Sequence, residues 1–596
     1  MKRNVLVVGF TSGVREMLSI RKLFTAFLFV AVAMPLSAAD EGHTRGDVLG
    51  CGREETHLAI AYAKHRLFER QRARREPADH QTASFAAATG PDVQKVGNIV
   101  VVDDDGTLVS DANPFDLSGS GVQYKRKKKG VKTSVFRGDV DPDRGEKISI
   151  EDDDTVEVPL GFSFKFFGTR YRKVYLNSDG NLTFGGGESA SSERSLARFL
   201  NGPPRIAAFF DDLDPGAAIG DAGVFVDNQS DFVRMTWWEV PEFDAVNRNT
   251  FQVTLYANGR VTFAYANLDA EEGIVGVSPG GSDLLDLLDL STELPLGRRD
   301  NAVAERFGLS VQIDDLGVAS TFLTHFRDDY DILLVWADFD VDLGNAFAYS
   351  FTLRNEVRGI GRDIYDATEV IGGAERFQTF VQMGDLSRYP SDPTTKFLDP
   401  DSTLSLIAHE AGHRFLAFVN FIDSDGQVSD WLLGRQRAHW NYFFDSDASV
   451  MEGNDIRDNG DGTFSTVAAT EKYSLLDQYL MGLIAPEEVP DFFYVSDETS
   501  NANRESNPRL SDNFFGTRVD VTLDDVIAFE GDRDPSWQDA RKTLKTAFLV
   551  IGTSGQPVSG GAKTKVNTFR KRWQSSFPQL TDGNGKVKSK LKKRKN

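Results

Sequence analysis

Residues 403–417 carry two histidines and a glutamate at a spacing that suits metal chemistry. His409 and His413 are four residues apart, so on a helix both imidazoles project from the same face. Two nitrogens placed in this way can occupy adjacent corners of a tetrahedral zinc site. Glu410 would lie about 100° further round the helix, where it can accept a proton from a water molecule at the metal. The spacing predicts a hydrolytic zinc site with His409 and His413 as ligands and Glu410 as general base.

A helix must hold these three residues, and the surrounding sequence favours one. Asp401, Ser402 or Thr403 can cap its first turn. Gly412 would cost about 1 kcal/mol relative to alanine inside a helix, which indicates close approach of another backbone segment. A buried helix with two ordinary core histidines is the alternative interpretation. Apolar residues recur at helical spacing at Leu404, Ile407, Ala408, Ala411, Phe415 and Leu416.

Two histidines do not complete a zinc site, so a third ligand must come from elsewhere. The metzincin pattern has a histidine six residues after the second one, but this chain has Val419 there. Residues 471–482 contain Ser-x-x-Asp-x-Tyr-Leu-Met-Gly. This segment resembles a helix of secreted bacterial zinc peptidases of the gluzincin or aspzincin type. The resemblance makes Asp477 the predicted third ligand, with a capping-box contact to Ser474 as its alternative role.

Four other residues near these motifs are candidates for the same chemistry. Glu471 is a second candidate for the third ligand, with a surface charge as its alternative role. His439 is another candidate ligand or oxyanion donor, and packing beside Trp440 is its alternative. Tyr473 and Tyr479 are candidate oxyanion donors that could equally be core residues.

From about residue 98 the sequence changes to short β-type runs separated by turn signals such as Asn258-Gly259, which predicts an antiparallel β-domain over residues 98–280. Six of its segments occur in the order expected of one domain: 161–168, 177–184, 206–212, 237–240, 250–253 and 273–276. Together they resemble the nidogen-type extracellular (NIDO) domain. The resemblance implies an adhesive or positioning module that supplies no catalytic residue.

Calcium is a second candidate cation in two acidic segments. Asp211, Asp212 and Asp214 form the first, which is interpreted as a solvated acidic turn with calcium binding as the alternative. Residues 455–462 form the second, but position 466 is Thr466 where an EF-hand loop has a glutamate. This segment is therefore predicted to be a β-hairpin turn, with a structural calcium site as the alternative.

The expected fold is a multidomain chain in which a β-sandwich-like NIDO-type domain precedes an α/β (α+β) zincin-like peptidase domain. Residues 330–336 begin the second domain with an apolar run suited to a buried strand. The predicted boundaries are a signal peptide at 1–39, an N-terminal extension or pro-segment at 40–97, the β-domain at 98–280, a connector at 281–320, the peptidase domain at 321–584 and a disordered basic tail at 585–596.

Targeting and charge limit the compartment and the partners. Arg21 and Lys22 precede an apolar run and then small residues at 37–39, which is typical of a secretory signal. No later segment is apolar enough to cross a membrane, so the mature chain is expected to be secreted without a transmembrane segment. The single cysteine, Cys51, excludes an internal disulfide. A net charge of −22 argues against a nucleic-acid partner.

The sequence therefore predicts a secreted zinc-dependent metalloendopeptidase that acts on a protein or peptide substrate. The alternative is an extracellular adhesion or binding protein in which the NIDO-type domain acts and the peptidase domain is degenerate. Contact of the basic tail with an acidic cell surface is the alternative to a solvated tail.

Overall fold

The computed structural model describes residues 54–75, 90–126, 131–190, 194–282, 284–341, 343, 346–398 and 400–594. The predicted signal peptide and Cys51 lie outside these residues. Strands and helices are numbered along the chain. None of the helices in the described ranges combines the length and the hydropathy needed to span a membrane.

Two packed sheets form a β-sandwich. The first sheet follows the order β16-β18-β15-β10-β9-β8-β7. The second follows the order β17-β5-β4-β14-β13-β12-β11-β6. The first consists of β7 (Thr155–Phe166), β8 (Thr169–Asn177), β9 (Asn181–Thr183), β10 (Arg205–Phe210), β15 (Gly273–Ser278), β16 (Leu285–Leu287) and β18 (Ala302–Phe307). The second consists of β4 (Ser120–Arg126), β5 (Val131–Arg137), β6 (Glu146–Lys147), β11 (Gly223–Asn228), β12 (Phe232–Val240), β13 (Asn249–Tyr256), β14 (Arg260–Leu268) and β17 (Leu296–Arg299).

Aromatic side chains join the two sheets of the sandwich. Trp237 stacks on Phe251 with ring centroids 5.0 Å apart, and Phe251 contacts Phe209 of the facing sheet at 5.9 Å. The indole nitrogen of Trp237 donates to the carbonyl of Ser178 at 3.0 Å, so its one polar atom is satisfied in the core. The predicted hairpin turn is confirmed, since Gly259 has a φ of 82° between β13 and β14.

A third sheet, which is mixed, forms the centre of the remaining chain in the order β1-β2-β34-β20-β24-β21, with β35 paired to β34. Strands β2, β34, β20 and β24 are parallel, and β21 is an antiparallel edge strand. The predicted buried strand is β20, all six residues of which are buried. The strands are β1 (Asp92–Val96), β2 (Ile99–Asp103), β20 (Ile332–Ala337), β21 (Tyr349–Thr352), β24 (Thr379–Asp385), β34 (Thr543–Gly552) and β35 (Lys586–Lys588).

Helices cover both faces of the central sheet. Apolar residues of α4, α5 and α7 share one core with one face of the sheet, and those of α3 share a second core with the opposite face. Helix α1 contributes Ala61 to this second core and Ala63 to the outer face of the sandwich. The helices are α1 (Glu54–Arg75), α2 (Leu196–Asn201), α3 (Asp315–His325), α4 (Thr403–Gly412), α5 (Leu475–Leu480), α6 (Leu523–Glu530) and α7 (Gly560–Leu580).

Short strand pairs complete the fold. The pair β29–β30 confirms the predicted hairpin at residues 455–462, with Asp458 and Asp461 capping its turn. The remaining strands are β3 (Val109–Ser110), β19 (Gln312–Ile313), β22 (Arg354–Asn355), β23 (Tyr365–Asp366), β25 (Lys396–Leu398), β26 (Asp401–Ser402), β27 (Phe421–Ile422), β28 (Val428–Ser429), β29 (Asn454–Asp458), β30 (Thr463–Ala469), β31 (Phe492–Ser496), β32 (Asn513–Phe515) and β33 (Thr517–Val521).

The domains are nested rather than consecutive, which corrects the predicted boundaries. Strand β2 lies within the range predicted for the β-domain but pairs with β34 of the central sheet. Strands β16 to β18 lie in the predicted connector at 281–320 but belong to the sandwich. Because β3 pairs with β19, the chain enters and leaves the sandwich at adjacent points. Strand pairing across hundreds of residues decides this arrangement, and local patterns do not encode it.

The basic segment at 585–596 was predicted to be a disordered tail, and its described part is instead folded. β35 pairs in parallel with β34, and Lys95 donates to the carbonyl of Leu591. Val587, Ser589 and Leu591 are buried, while the lysines between them are exposed. This alternation with a period of two is the signature of a half-buried strand, which the high charge of the segment concealed.

Glu305 makes the stability of the sandwich dependent on pH. Burial raises the pKa of its carboxyl to about 8 from 4.5, although Asn113 and the amide of Leu290 donate to it. The contribution of the neutral Glu305 carboxyl to the free energy of unfolding is complete below pH 4.5. It is lost as the pH rises through 8, at about 1.4 kcal/mol per pH unit. We expect the free energy of unfolding, measured with urea, to fall more steeply between pH 5 and 8 in the parent than in Glu305→Gln. Equal slopes would contradict this prediction.

Candidate metal centre

Helix α4 and its C-terminal cap carry His409, Glu410 and His413, and the sequence of the helix explains where it begins and ends. Ser402 and Ser405 form a reciprocal capping box, in which the Ser402 hydroxyl accepts from the Ser405 amide at 3.2 Å. The helix runs from Thr403 to Gly412, and His413 is its C-terminal cap. The predicted helix is thereby confirmed, with Ser402 as the N-cap among the three candidates.

Three histidine side chains converge at the end of this helix. The Nε2 atom of His409 lies 3.2 Å from Nε2 of His413 and 3.3 Å from Nε2 of His439. Ligand atoms of the three rings all lie within 4.8 Å of one another. This group of buried histidines could hold a metal ion. It is the one such group of three or more metal-ligating side chains found in the described part of the chain.

Backbone carbonyls determine which nitrogen of two rings carries the proton. Nδ1 of His409 is 2.9 Å from the carbonyl oxygen of Val450, and Nδ1 of His439 is 2.8 Å from that of Arg435. A carbonyl can only accept, so each Nδ1 is the donor and each Nε2 presents a lone pair. Nitrogen lone pairs only 3.3 Å apart repel each other, and a cation bound by both nitrogens would remove that repulsion.

Burial keeps His413 and His439 in the protonation state that metal binding requires. His409 is 6% exposed, His413 3% and His439 0%. Burial lowers the pKa of both His413 and His439 well below the ordinary histidine value, and the Arg435 guanidinium lowers the pKa of His439 further. Both rings are therefore neutral at pH 7, as imidazole ligands must be.

The backbone carbonyls of Val450 and Met451 hold His409 and the residue next to His439, respectively. The Val450 carbonyl orients His409, as described above, and the Met451 carbonyl accepts from the amide of Trp440 at 3.0 Å. The sulfur of Met451 fills the space beside Gly412, where an added Cβ would lie 2.5 Å from it. Another part of the chain therefore does approach Gly412 closely, but it is a side chain and not the backbone that the sequence predicted.

We expect Gly412→Ala to destabilise the protein and weaken metal binding. The new methyl group displaces Met451, and overpacking of this kind costs about 1–3 kcal/mol. The displacement also moves the neighbouring Val450 carbonyl that orients His409. Unfolding free energy and metal affinity would both be measured. Gly560→Ala is the control, because nothing lies within 4 Å of its added Cβ; an equal effect in the two variants would contradict the steric explanation.

Asp477, the residue predicted as third ligand, is not part of the histidine group. One of its oxygens accepts from Trp440 Nε1 at 2.9 Å. The other accepts from the Ser449 hydroxyl at 2.5 Å and the Ser474 amide at 2.8 Å. These bonds and the reciprocal cap with Ser474 correspond to its alternative role. In correction of the prediction, the third side chain of the group that could hold a metal ion is His439, whereas Asp477 bonds to Trp440 and Ser449 on either side of the site.

The remaining candidate residues, Glu471, Tyr473 and Tyr479, lie outside the histidine group. Glu471 is exposed. The Tyr473 hydroxyl donates to the Ala408 carbonyl at 2.6 Å and so anchors α4. The Tyr479 hydroxyl accepts from the amide of Arg533 at 3.4 Å. The sequence did carry a signal for His439, because it is the one histidine that follows His413 in the chain.

The loop that carries His439 departs from ordinary backbone geometry. Between 434 and 453, five non-glycine residues have positive φ angles: Gln436, Arg437, Asp447, Ala448 and Glu452. Such conformations persist where the surrounding structure imposes them, and they concentrate at functional sites.

Comparison with known proteins bears on the sandwich alone. Residues 138–297 match a family model described as NIDO related. The match lies within the β-sandwich and supports the nidogen-like domain predicted there. No curated protein and no solved structure matches the chain.

Proposed function

We propose that this protein is a secreted zinc-dependent metalloendopeptidase, with His409, His413 and His439 as ligands. The convergence of the three Nε2 atoms carries the proposal. A tetrahedral zinc ion with Zn–N bonds of about 2.0–2.1 Å separates its ligand nitrogens by about 3.3–3.4 Å. The two Nε2 separations of 3.2 and 3.3 Å match this requirement. Three neutral imidazoles also leave one position open, as in catalytic zinc sites.

Glu410 is the proposed general base. When bound, zinc supplies a Lewis acid that polarises the scissile carbonyl and lowers the pKa of water. Glu410 directly follows His409 on α4 and is 1% exposed. Its carboxylate accepts the proton of the attacking water and then delivers it to the leaving amine.

The surrounding fold supports a zincin-like interpretation of the domain predicted at 321–584. Helix α4 packs on one face of a mixed sheet, and β21 is the antiparallel edge strand of that sheet. Helix α4 lies beside β21 and β24, so the ligands lie next to the sheet edge. An edge strand offers unpaired backbone groups to an extended peptide.

The burial of the site gives the predicted pro-segment a role. Helix α1 packs against β21, where the ring of His57 contacts Tyr349 at a centroid distance of 4.8 Å. Each ligand and Glu410 is at most 6% exposed. In this proposal a segment that covers the site must move before a protein substrate can enter. Helix α1, which packs against the edge strand β21, is the proposed covering segment.

The NIDO-related sandwich supports an extracellular location and also the rival function. A nidogen-like domain can bind a partner without any contribution from the histidine group. In that case the protein would be an adhesion or binding protein with a degenerate metal site. The two functions differ in whether the protein hydrolyses peptide bonds.

Metal content and hydrolysis together test the proposal. We expect about one zinc per chain in the purified protein, and hydrolysis of an unfolded protein such as casein. Hydrolysis should stop with a zinc chelator and return when zinc is added. Limited proteolysis that removes α1 would precede the assay in a parallel sample. A zinc-loaded protein without hydrolysis in either sample would favour the binding function, and a protein that takes up no zinc would exclude the peptidase.

A further inference from the structure

A buried carboxylate lies beside the histidine group without belonging to it. Glu452 is 3% exposed, and its Oε1 is 3.7 Å from Nε2 of His439. That distance is too long for a hydrogen bond but close enough for strong electrostatic interaction in a buried site. Glu452 is therefore placed to act on a cation held by the histidines.

Arg435 holds the carboxylate and the histidine together. Its Nε donates to Oε2 of Glu452 at 3.0 Å, and a second guanidinium nitrogen donates to Oε1. Its backbone carbonyl accepts from Nδ1 of His439 at 2.8 Å. Two parallel bonds fix the orientation of a carboxylate as well as its position. One residue thus sets the geometry of both His439 and Glu452.

The backbone at Glu452 indicates that its side chain has a role. Its φ is 60°, a left-handed conformation that favours glycine and is costly for a longer side chain. The next residue, Gly453, is a glycine and could adopt a left-handed conformation without strain, yet it is Glu452 that adopts it. A strained residue at a candidate site points to a function of that residue.

We infer that Glu452 is a positioning residue of the metal centre, whose carboxylate, aimed by Arg435, raises the affinity of the three histidines for a divalent cation. Three neutral imidazoles leave two positive charges uncompensated, and a fixed negative charge beside His439 offsets part of them. Outer groups of this kind typically change metal affinity by about 10- to 100-fold. The inference rests on the metal site of the proposed function but does not require peptide hydrolysis.

Metal affinity in the whole chain tests the inference. We expect Glu452→Gln, which keeps the shape and removes the charge, to raise the dissociation constants for Zn²⁺ and Co²⁺ by about 10- to 100-fold. Competition with a chelator of known affinity would measure them. The visible absorption of the Co²⁺-loaded protein should also change, because the field at the metal differs.

Two further variants separate affinity from stability. Glu188 is a partly buried, arginine-paired glutamate of the sandwich, so Glu188→Gln repeats the same chemical change away from the histidines. It should leave the Co²⁺ spectrum and both dissociation constants unchanged. Glu452→Gly relaxes the backbone and removes the carboxylate, so it should weaken metal binding as much as Glu452→Gln does.

The outcomes distinguish this inference from the proposed function. Parent-like affinity and spectrum in both Glu452 variants would overturn the inference alone. Weakened binding in these variants, in a parent that binds metal but does not hydrolyse peptides, would support the inference and reject the peptidase. A parent that binds neither ion would overturn both.

Discussion

Glu410→Gln is expected to retain the metal and to lower peptide-bond hydrolysis by about 10²- to 10⁴-fold, the range of a general acid–base group. The glutamine keeps the size and the buried position of Glu410 on α4 but cannot accept the proton. Metal per chain and the initial rate of casein hydrolysis would be measured on the same preparation. The effect should appear in kcat, because proton transfer belongs to the chemical step.

The control is Glu530→Gln, which changes a partly buried glutamate that accepts from the amide of Asn420 near the end of α6. It should leave hydrolysis within about twofold of the parent, since a structural change away from the site does not alter the barrier. Parent-like hydrolysis by Glu410→Gln would reject Glu410 as the base. Loss of metal from this variant would show instead that Glu410 supports the ligands.

His439→Ala is expected to abolish stoichiometric metal binding, whereas Asp477→Asn retains it. The first variant removes one of three nitrogens that converge within 4.8 Å. The second leaves the ligand set intact but weakens the bonds to Trp440, Ser449 and Ser474. Its expected cost is stability, about 1–3 kcal/mol for a buried polar group left without its partner. Metal per chain and urea unfolding would be measured for both.

His325→Ala is the matched control for His439→Ala, because the His325 ring contacts the carbonyl of Thr321 at an exposed helix end. It should bind metal as the parent does. Metal retained by His439→Ala but lost from Asp477→Asn would restore Asp477 as the third ligand. Metal lost from both, with parent-like unfolding, would show that Asp477 orients the site through Trp440 and Ser449.

The sequence predicted what depends on short-range geometry. The i, i+4 spacing of His409 and His413 places both rings on one helix face wherever the helix lies. Ser402 caps that helix through residues three positions away. The turn at Gly259 requires a positive φ, which glycine adopts without strain, so the hairpin was also predictable. Each of these features depends on neighbours within a few residues.

The third member of the histidine group depended on the path of a loop. His439 follows His413 by 26 residues, and its ring reaches the site because Arg435 and the strained backbone around it set its direction. Asp477 was a reasonable prediction because its motif does lie against the site. Its carboxylate accepts from Trp440 and Ser449, which neighbour His439 and Val450, and it does not join the histidine group. Motif resemblance located the region, and only the contacts assigned the roles.

Domain order and the folded C-terminal segment also depended on distant contacts. β2 pairs with β34 more than 400 residues later, and β35 adds to the same strand. The sequence by itself therefore determined the helix with its two histidines and glutamate, the hairpins and the nidogen-like segments of the sandwich. The tertiary structure decided the third histidine, the nested domains and the strand among the lysines. The physical reason is that propensity, capping and periodicity act over a few residues, whereas ligand convergence and sheet order are set by packing between segments far apart in the chain.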